Sequence, residues 1–249
     1  MSESLKGKVA VISGVGSGFA KATAEVFAKN DKCNLVLIDA NEKGLEDTVN
    51  NCKEFGSNVV SINGDATKQE TFEKALDETL KNFGKVNFLI NYVGGAIRVA
   101  PIEEMDNDVV RKIIDLNLMS TIMSCRTFTP QFKKQGYGKI VNVSSACDRR
   151  CWEGWSIYSA AKAGVNTFSK CLYTELRPHG ICVILLVPGG SNTGFQAAAE
   201  GVDDFEWDEE LAVRPEHFAD MVYQACALTK GGCVTEMLVY GLAQDISGY

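Results

Sequence analysis

Short apolar runs rich in Val, Ile and Leu alternate with longer stretches of helical period along almost the whole chain. The runs fall at 9–13, 34–38, 59–63, 86–91, 138–143, 182–187 and 237–240. Helical patterns lie between them at 18–30, 42–55, 69–83, 107–134, 156–177 and 215–228. A strand that is apolar at successive positions, rather than alternate ones, must be covered on both faces. Parallel strands joined through helices meet that demand, because each crossover lays a helix on one face of the sheet. The order therefore predicts an α/β fold, a doubly wound Rossmann sheet of seven mostly parallel strands flanked by helices. No linker, repeat or low-complexity tract interrupts it, so residues 1–249 are read as one domain. Only 190–210 breaks the rhythm, with small residues, then acidic ones, and Phe195, Phe205 and Trp207 among them. It reads either as a substrate flap or as an ordinary helical insertion.

Composition narrows the classes. With 45% hydrophobic residues in 249, the chain can bury a sizeable core. A net charge of −7 argues against a nucleic-acid partner and against an anionic membrane surface. No run approaches the roughly 18 apolar residues of a membrane span, and the N-terminus lacks a signal-peptide pattern. A cytoplasmic protein is expected. Its nine cysteines are then read as reduced thiols, with Cys33, Cys171 and Cys182 in apolar or helical surroundings. His179 and His217 have no metal-ligand spacing, so no metal is expected.

The first apolar run leads into Gly14-Val15-Gly16-Ser17-Gly18-Phe19-Ala20 and then a helix. Glycines there let the backbone turn tightly and approach a pyrophosphate, while the helix N-terminus offers free N–H groups. Asp39 ends the second run about 20 residues on, where a carboxylate accepts from the adenosine ribose hydroxyls. The same carboxylate repels a 2′-phosphate, and no Arg or Lys stands between Gly14 and Ala20 to receive one. NAD is expected over NADP. The alternative for Asp39 is that it caps the following helix.

Tyr158 and Lys162 stand four apart in a helical stretch, so they share a face. A free phenol has a pKa of about 10. An ammonium held close favours the phenolate and makes a general base available near neutral pH.

In their joint order these motifs resemble the short-chain dehydrogenase/reductase family over essentially the full length. The glycine loop, Gly64-Asp65-Ala66-Thr67, Asn91-Tyr92-Val93-Gly94, Asp115-Leu116-Asn117-Leu118, Asn142-Val143-Ser144-Ser145 and Pro188-Gly189-Gly190-Ser191-Asn192-Thr193 carry the resemblance. It departs at Ala20, Tyr92 and the C-terminal strand, which lacks the family's frequent Asp-Gly-Gly. The resemblance implies cofactor contacts from Gly14, Gly16, Ser17, Gly18, Phe19, Asp39, Asp65 and Ala66. It implies further ones from Asn91, Val93, Gly94, Pro188, Gly189, Ser191 and Thr193. Tyr158 would exchange the substrate proton, and Lys162 would depress its pKa and hold the nicotinamide ribose. Ser145 would bind the substrate oxygen, and Asn117 would hold a proton-relaying water. Read singly, the serines could merely end a strand and Asn117 could satisfy helix backbone. A homodimer or homotetramer acting on a small alcohol or ketone is implied.

Substrate contacts are sought in 95–101, 146–157 and 190–207. Trp152 and Trp155 could stack on a ring, and Arg98, Arg149 or Arg150 could meet an anionic group. Alternatively, Arg149 and Arg150 pair at the surface with Asp148 and Glu153. Two competing functions share this fold: a non-catalytic NAD-binding regulator, and an epimerase or dehydratase that recycles its cofactor.

Overall fold

The computed structural model describes residues 2–191, 199–200, 213–229, 231–242 and 244. Strands β1 (Val9–Ser13), β2 (Asn34–Asp39), β3 (Val59–Asn63), β4 (Phe88–Asn91), β5 (Gly138–Val143), β6 (Ile181–Pro188) and β7 (Glu236–Val239) form one sheet. Its order is β3-β2-β1-β4-β5-β6-β7, and every neighbouring pair runs parallel. The order reverses direction between β1 and β4, which opens a crevice at the C-terminal ends of those strands.

The runs of the central strands β1, β2, β4, β5 and β6 are buried on both sides, as their continuity requires, whereas the edge strands β3 and β7 are partly exposed. Successive side chains of a strand face opposite ways. Ala10 and Ile12 of β1 join the cluster under helices α1 (Gly18–Asp31), α2 (Glu42–Glu54) and α7 (Pro215–Ala227). Val11 joins the cluster on the other face, under α3 (Gln69–Phe83), α5 (Ser120–Gln135) and α6 (Ser156–Leu176). Aromatic contacts lock the first layer: the rings of Phe19 and Phe218 are 4.4 Å apart, and Phe27 meets Tyr223 edge-on at 5.5 Å.

Two expectations are corrected. The stretch 107–134 is not one regular helix. It divides into α4 (Asn107–Ile114), a π-helical turn over Asp115–Met119, and α5. The apolar period runs through the whole stretch, so periodicity does not register the wider turn. The second correction concerns the thiols. Cys182 on β6 is joined to Cys233, just before β7, in a disulfide, and Cys171 is exposed rather than in the core. Neighbouring strands bring the two sulfurs together across 51 residues of sequence, a separation no local pattern registers.

At the N-terminal end of β5, Lys139 reaches the last turn of α7. Its ammonium donates to the carbonyls of Ala225, Cys226 and Leu228 at 3.1, 2.8 and 2.7 Å. Those acceptors have no further turn of helix to pair with, and the cation also suits the negative end of the helix dipole.

Candidate active site

The glycine loop is built to lie flat. Gly14 takes a φ of +84° and its N–H donates to Ile38 O at 2.8 Å. A Cβ on Gly14 would stand 3.2 Å from Val93 N, so the loop packs directly on the end of β4. Helix α2 supports it from the other side. Thr48 Oγ1 donates to Val15 O at 2.8 Å, and a Cβ on Gly44 would stand 2.9 Å from the Gly16 Cα. Neither Gly44 nor Thr48 announces this in the sequence, because their partners lie about thirty residues away in another element.

Asp39 closes onto the same loop. Its Oδ2 accepts the Gly16 N–H at 2.7 Å and its Oδ1 accepts the Asn41 N–H at 2.8 Å. The cap of α2 is Asn41, whose side chain accepts from Gly44 N, so Asp39 is not that helix's cap. Asp65 turns inward on its own loop, accepting from the Thr67 N–H and hydroxyl, both at 2.8 Å. Ala66 beside it is buried, whereas Ser17 and Phe19 stand at the head of α1.

At the end of β4 the expected cofactor residues divide. The Asn91 side chain faces the interior. It donates to Asn142 Oδ1 at 2.9 Å and accepts from the Ser124 hydroxyl at 2.7 Å, while Asn142 donates to Ser169 at 3.0 Å. This buried chain ties β4, β5, α5 and α6 together, so only the main chain of Asn91 faces the crevice. Tyr92, the departure from the family pattern, is absorbed by a 2.7 Å bond between its hydroxyl and Thr23 of α1. Gly94 is where a side chain is excluded. A Cβ there would stand 2.7 Å from Asn117 Oδ1 and 2.9 Å from Lys162 Nζ.

The π turn presents Asn117 to this point. Its Nδ2 donates to Gly95 O at 2.8 Å and to Ile113 O at 2.9 Å, and its Oδ1 accepts the Gly95 N–H at 3.0 Å. The amide is thus committed to backbone, and a water relay here would rest on the main chain of Asn117 instead.

Ser145 follows β5 and opens a short 3-10 turn over Ala146–Asp148, its hydroxyl oxygen accepting the Cys147 N–H at 3.2 Å. The same side chain is hydrogen-bonded to the Tyr158 hydroxyl. Lys162 lies one turn along α6 with its Nζ 5.7 Å from the centre of the Tyr158 ring, donating to Val143 O at 3.1 Å. Asn117, Ser145, Tyr158 and Lys162 therefore meet at one place.

The electrostatics differ from expectation. Burial pushes the Tyr158 phenol up, with Cys147 and Asp148 nearby adding to it and the Ser145 hydrogen bond opposing. Burial pushes Lys162 down to about 8, against the pull of Cys147 and Asp148. Depression of the phenol by Lys162 is not realised here, because the ammonium is turned to Val143 O and desolvation penalises both charged forms.

Of the residues expected to touch substrate, Arg149 is committed elsewhere. It pairs through Nε with Asp148 at 2.8 Å and through Nη2 with Glu236 of β7. Surface pairing was the alternative, but the second partner is Glu236, not Glu153. Trp155 does stand at the site, its ring edge-on to Tyr158 at 5.6 Å. Trp152 is farther out, 44% exposed with Arg150 over its ring at 5.4 Å. Arg98 follows Ile97, whose φ of +60° is rare for a β-branched residue. Its main chain bridges to Glu200.

Pro188 and Gly189 sit at the end of β6, where Gly189 N–H donates to Val239 O at 2.8 Å and the Tyr240 ring occupies the space of a side chain. Ser191 Oγ is buried without a partner among the described residues. Thr193, and with it most of 190–210, lies outside the described residues. A glycine-rich loop, a Gly94 that leaves room for no side chain, and a Ser191 hydroxyl without a partner among the described residues all suit a nucleotide that needs close backbone approach and polar partners.

A family model described as short chain dehydrogenase matches residues 8–202. A diacetyl reductase forming (S)-acetoin, from Staphylococcus epidermidis, is 33% identical over 187 residues, 75% of this chain and 72% of that protein. A 1,6-dihydroxycyclohexa-2,4-diene-1-carboxylate dehydrogenase of Pseudomonas putida is 29% identical over 256 residues, covering 100% of this chain and 90% of the relative. Among solved structures, a short chain dehydrogenase/reductase from Burkholderia phymatum in complex with NAD shares 28% identity and superposes with a TM-score of 0.82, over 94% of this chain and 89% of that one. The chain belongs to the short-chain dehydrogenase/reductase family of oxidoreductases.

Proposed function

We propose that this chain is an NAD-dependent oxidoreductase that interconverts a secondary alcohol and a ketone. The observation that carries the reading is the hydrogen-bonded Ser145–Tyr158 pair, with Lys162 on the same helix and the Gly94 main chain packed close beside it. A nicotinamide cofactor would supply or accept the hydride. The glycine loop and Asp39 would hold its adenosine end, and Gly94, Pro188 and Ser191 would hold its other end. The carboxylate on the loop favours a free ribose 2′-hydroxyl over a 2′-phosphate, hence NAD.

The chain's own groups handle the proton. Ser145 donates to the substrate oxygen and steadies the charge that develops there. Tyr158 keeps its proton across the neutral range, because burial raises its pKa. That is the form that protonates an oxygen as a ketone is reduced. In oxidation Tyr158 must take up the hydroxyl proton instead. Lys162 is the cation placed to favour this, with two ammonium hydrogens beyond the one on Val143 O. Asn117 keeps Gly95 and the crevice wall in place. Trp155 and the apolar residues packed around Tyr158, among them Ile97, Val99 and Ile157, suit a small or ring-bearing substrate.

The names of the two relatives direct the test toward vicinal hydroxyketones and cyclic diols. Such a panel, followed by nicotinamide absorbance with NAD and NADP in parallel, should show net cofactor conversion with NAD preferred. Tyr158→Phe should lower kcat by about a thousandfold and leave NAD affinity within a few fold. Turnover unchanged in that variant, or cofactor bound and never consumed, would refute the reading.

A further inference from the structure

The turn that carries Ser145 ends in a carboxylate that the proton-transfer scheme does not use. The Asp148 side chain is 0% exposed. Its Oδ2 accepts from the Ser144 hydroxyl at 2.7 Å and from Asn166 Nδ2 at 2.8 Å, and its Oδ1 accepts from Arg149 Nε at 2.8 Å. Each donor belongs to a part of the active site. Ser144 precedes Ser145, and its hydroxyl also lies 3.0 Å from the Lys162 carbonyl oxygen. Asn166 is one helical turn beyond Lys162 on α6. Arg149 extends the chain of contacts to Glu236 on β7, the strand whose Val239 carbonyl holds Gly189. A buried carboxylate with three donors is expensive to desolvate and strongly oriented once paired.

We propose that Asp148 is the positioning residue of this site: it fixes the Ser145 turn against the Lys162 face of α6 and directs a negative charge toward that lysine. The proposal rests on the reading of Ser145, Tyr158 and Lys162 given above. The ionisable groups near the carboxylate are Tyr158 and Lys162 on α6 and Cys147 and Arg149 on its own turn, with Glu236 of β7 reached through Arg149. Strand β6 (Ile181–Pro188) carries no charged side chain. Cys147 is itself pushed up by burial and stays a neutral thiol. Cys147 and Asp148 both oppose the desolvation of Lys162, and of the two Asp148 is the one that carries a formal charge.

Three variants test this in the full chain: Asp148→Asn, Asp148→Ser and Asp148→Glu. The first readout is the side-chain NMR titration of Lys162, assigned by its loss in Lys162→Arg. The second is kcat, with NAD affinity measured alongside. Removing the charge in Asn and Ser should lower the Lys162 midpoint by roughly one unit. It should also lower kcat about 10- to 100-fold, with NAD affinity within about threefold. Glu restores the charge one methylene out of place. It should hold the midpoint within a few tenths of a unit while kcat still falls several-fold. An unmoved midpoint in the neutral variants would reduce Asp148 to a structural residue and overturn the proposal. Unchanged kcat in any of the three would do the same, and Asp148→Glu decides the matter should both neutral variants fail to fold. The titration does not depend on turnover. A midpoint that falls while Tyr158→Phe remains active would leave the Asp148–Lys162 link standing and refute only the role of Tyr158.

Discussion

Among the described residues two lysines are buried, at opposite ends of the same sheet. Lys139 is 4% exposed at the N-terminal end of β5, and Lys162 is 3% exposed beside the C-terminal end of that strand. Burial lowers the pKa of both. They differ in what their ammonium hydrogens do. Lys139 gives all three to the carbonyls that end α7, which leaves it no spare donor. Lys162 gives one to Val143 O and keeps two, beside a main chain so close that only a glycine fits at position 94. A buried cation with every donor matched is a brace, and one with donors in reserve, in a crevice, is a working group. Burial and a shifted pKa alone do not separate the two.

Removing each lysine tests that contrast. Lys162→Met should lower kcat by about 100- to 1,000-fold and leave the melting temperature within a few degrees. Loss of fold with little kinetic effect would erase the contrast. Lys139→Met should do the reverse. It strands acceptors at the end of α7, and should cost about 3 kcal/mol in urea unfolding with kcat within twofold. Stability equal to the wild type would show that those carbonyls find other partners.

The smallest effect is in pH dependence, and its sign follows from linkage. Lys162 releases its proton near 8 when folded and near 10.4 when unfolded. Between those values the unfolded chain binds more protons, so this group makes the fold more stable as pH rises. Below about 8 both states are protonated and the contribution is flat. Buried tyrosines and thiols with raised pKa values act in the opposite sense at higher pH. The measurement is therefore a difference: wild-type stability minus that of Lys162→Met should climb between about pH 8 and 10. A flat difference would mean that Lys162 is not desolvated.

Sequence legibility followed the same division. All seven strands lie at the continuous apolar runs, because such runs report strands packed within a covered sheet; only at its edges, in β3 and β7, are some side chains exposed. The meeting of Asn117, Ser145, Tyr158 and Lys162 was also legible. Each sits at the end of a strand or on a helix whose position the βα order dictates. Arg149 was misplaced among the substrate contacts, because a charged residue in a loop looks the same whether it meets a ligand or, as here, Glu236 on a distant strand. Asn91 was assigned to the cofactor by its motif, yet its side chain is spent on Asn142 and Ser124. Asp148 drew notice only as a surface partner for arginine. Its partners come from the end of β5, its own turn and α6, which only folding brings together.

By itself the sequence determined the alternation of strands and helices, the glycine-rich entry to α1 and the order in which the reactive side chains are delivered. These are local properties: period, backbone freedom and spacing along the chain. The tertiary structure alone decided which polar groups face inward and what they face. Three carbonyls meet Lys139, a single carbonyl meets Lys162, and a buried carboxylate lies under the serine turn. Proton affinity depends on desolvation and on charges brought close by folding, so no reading of the chain in order could supply it.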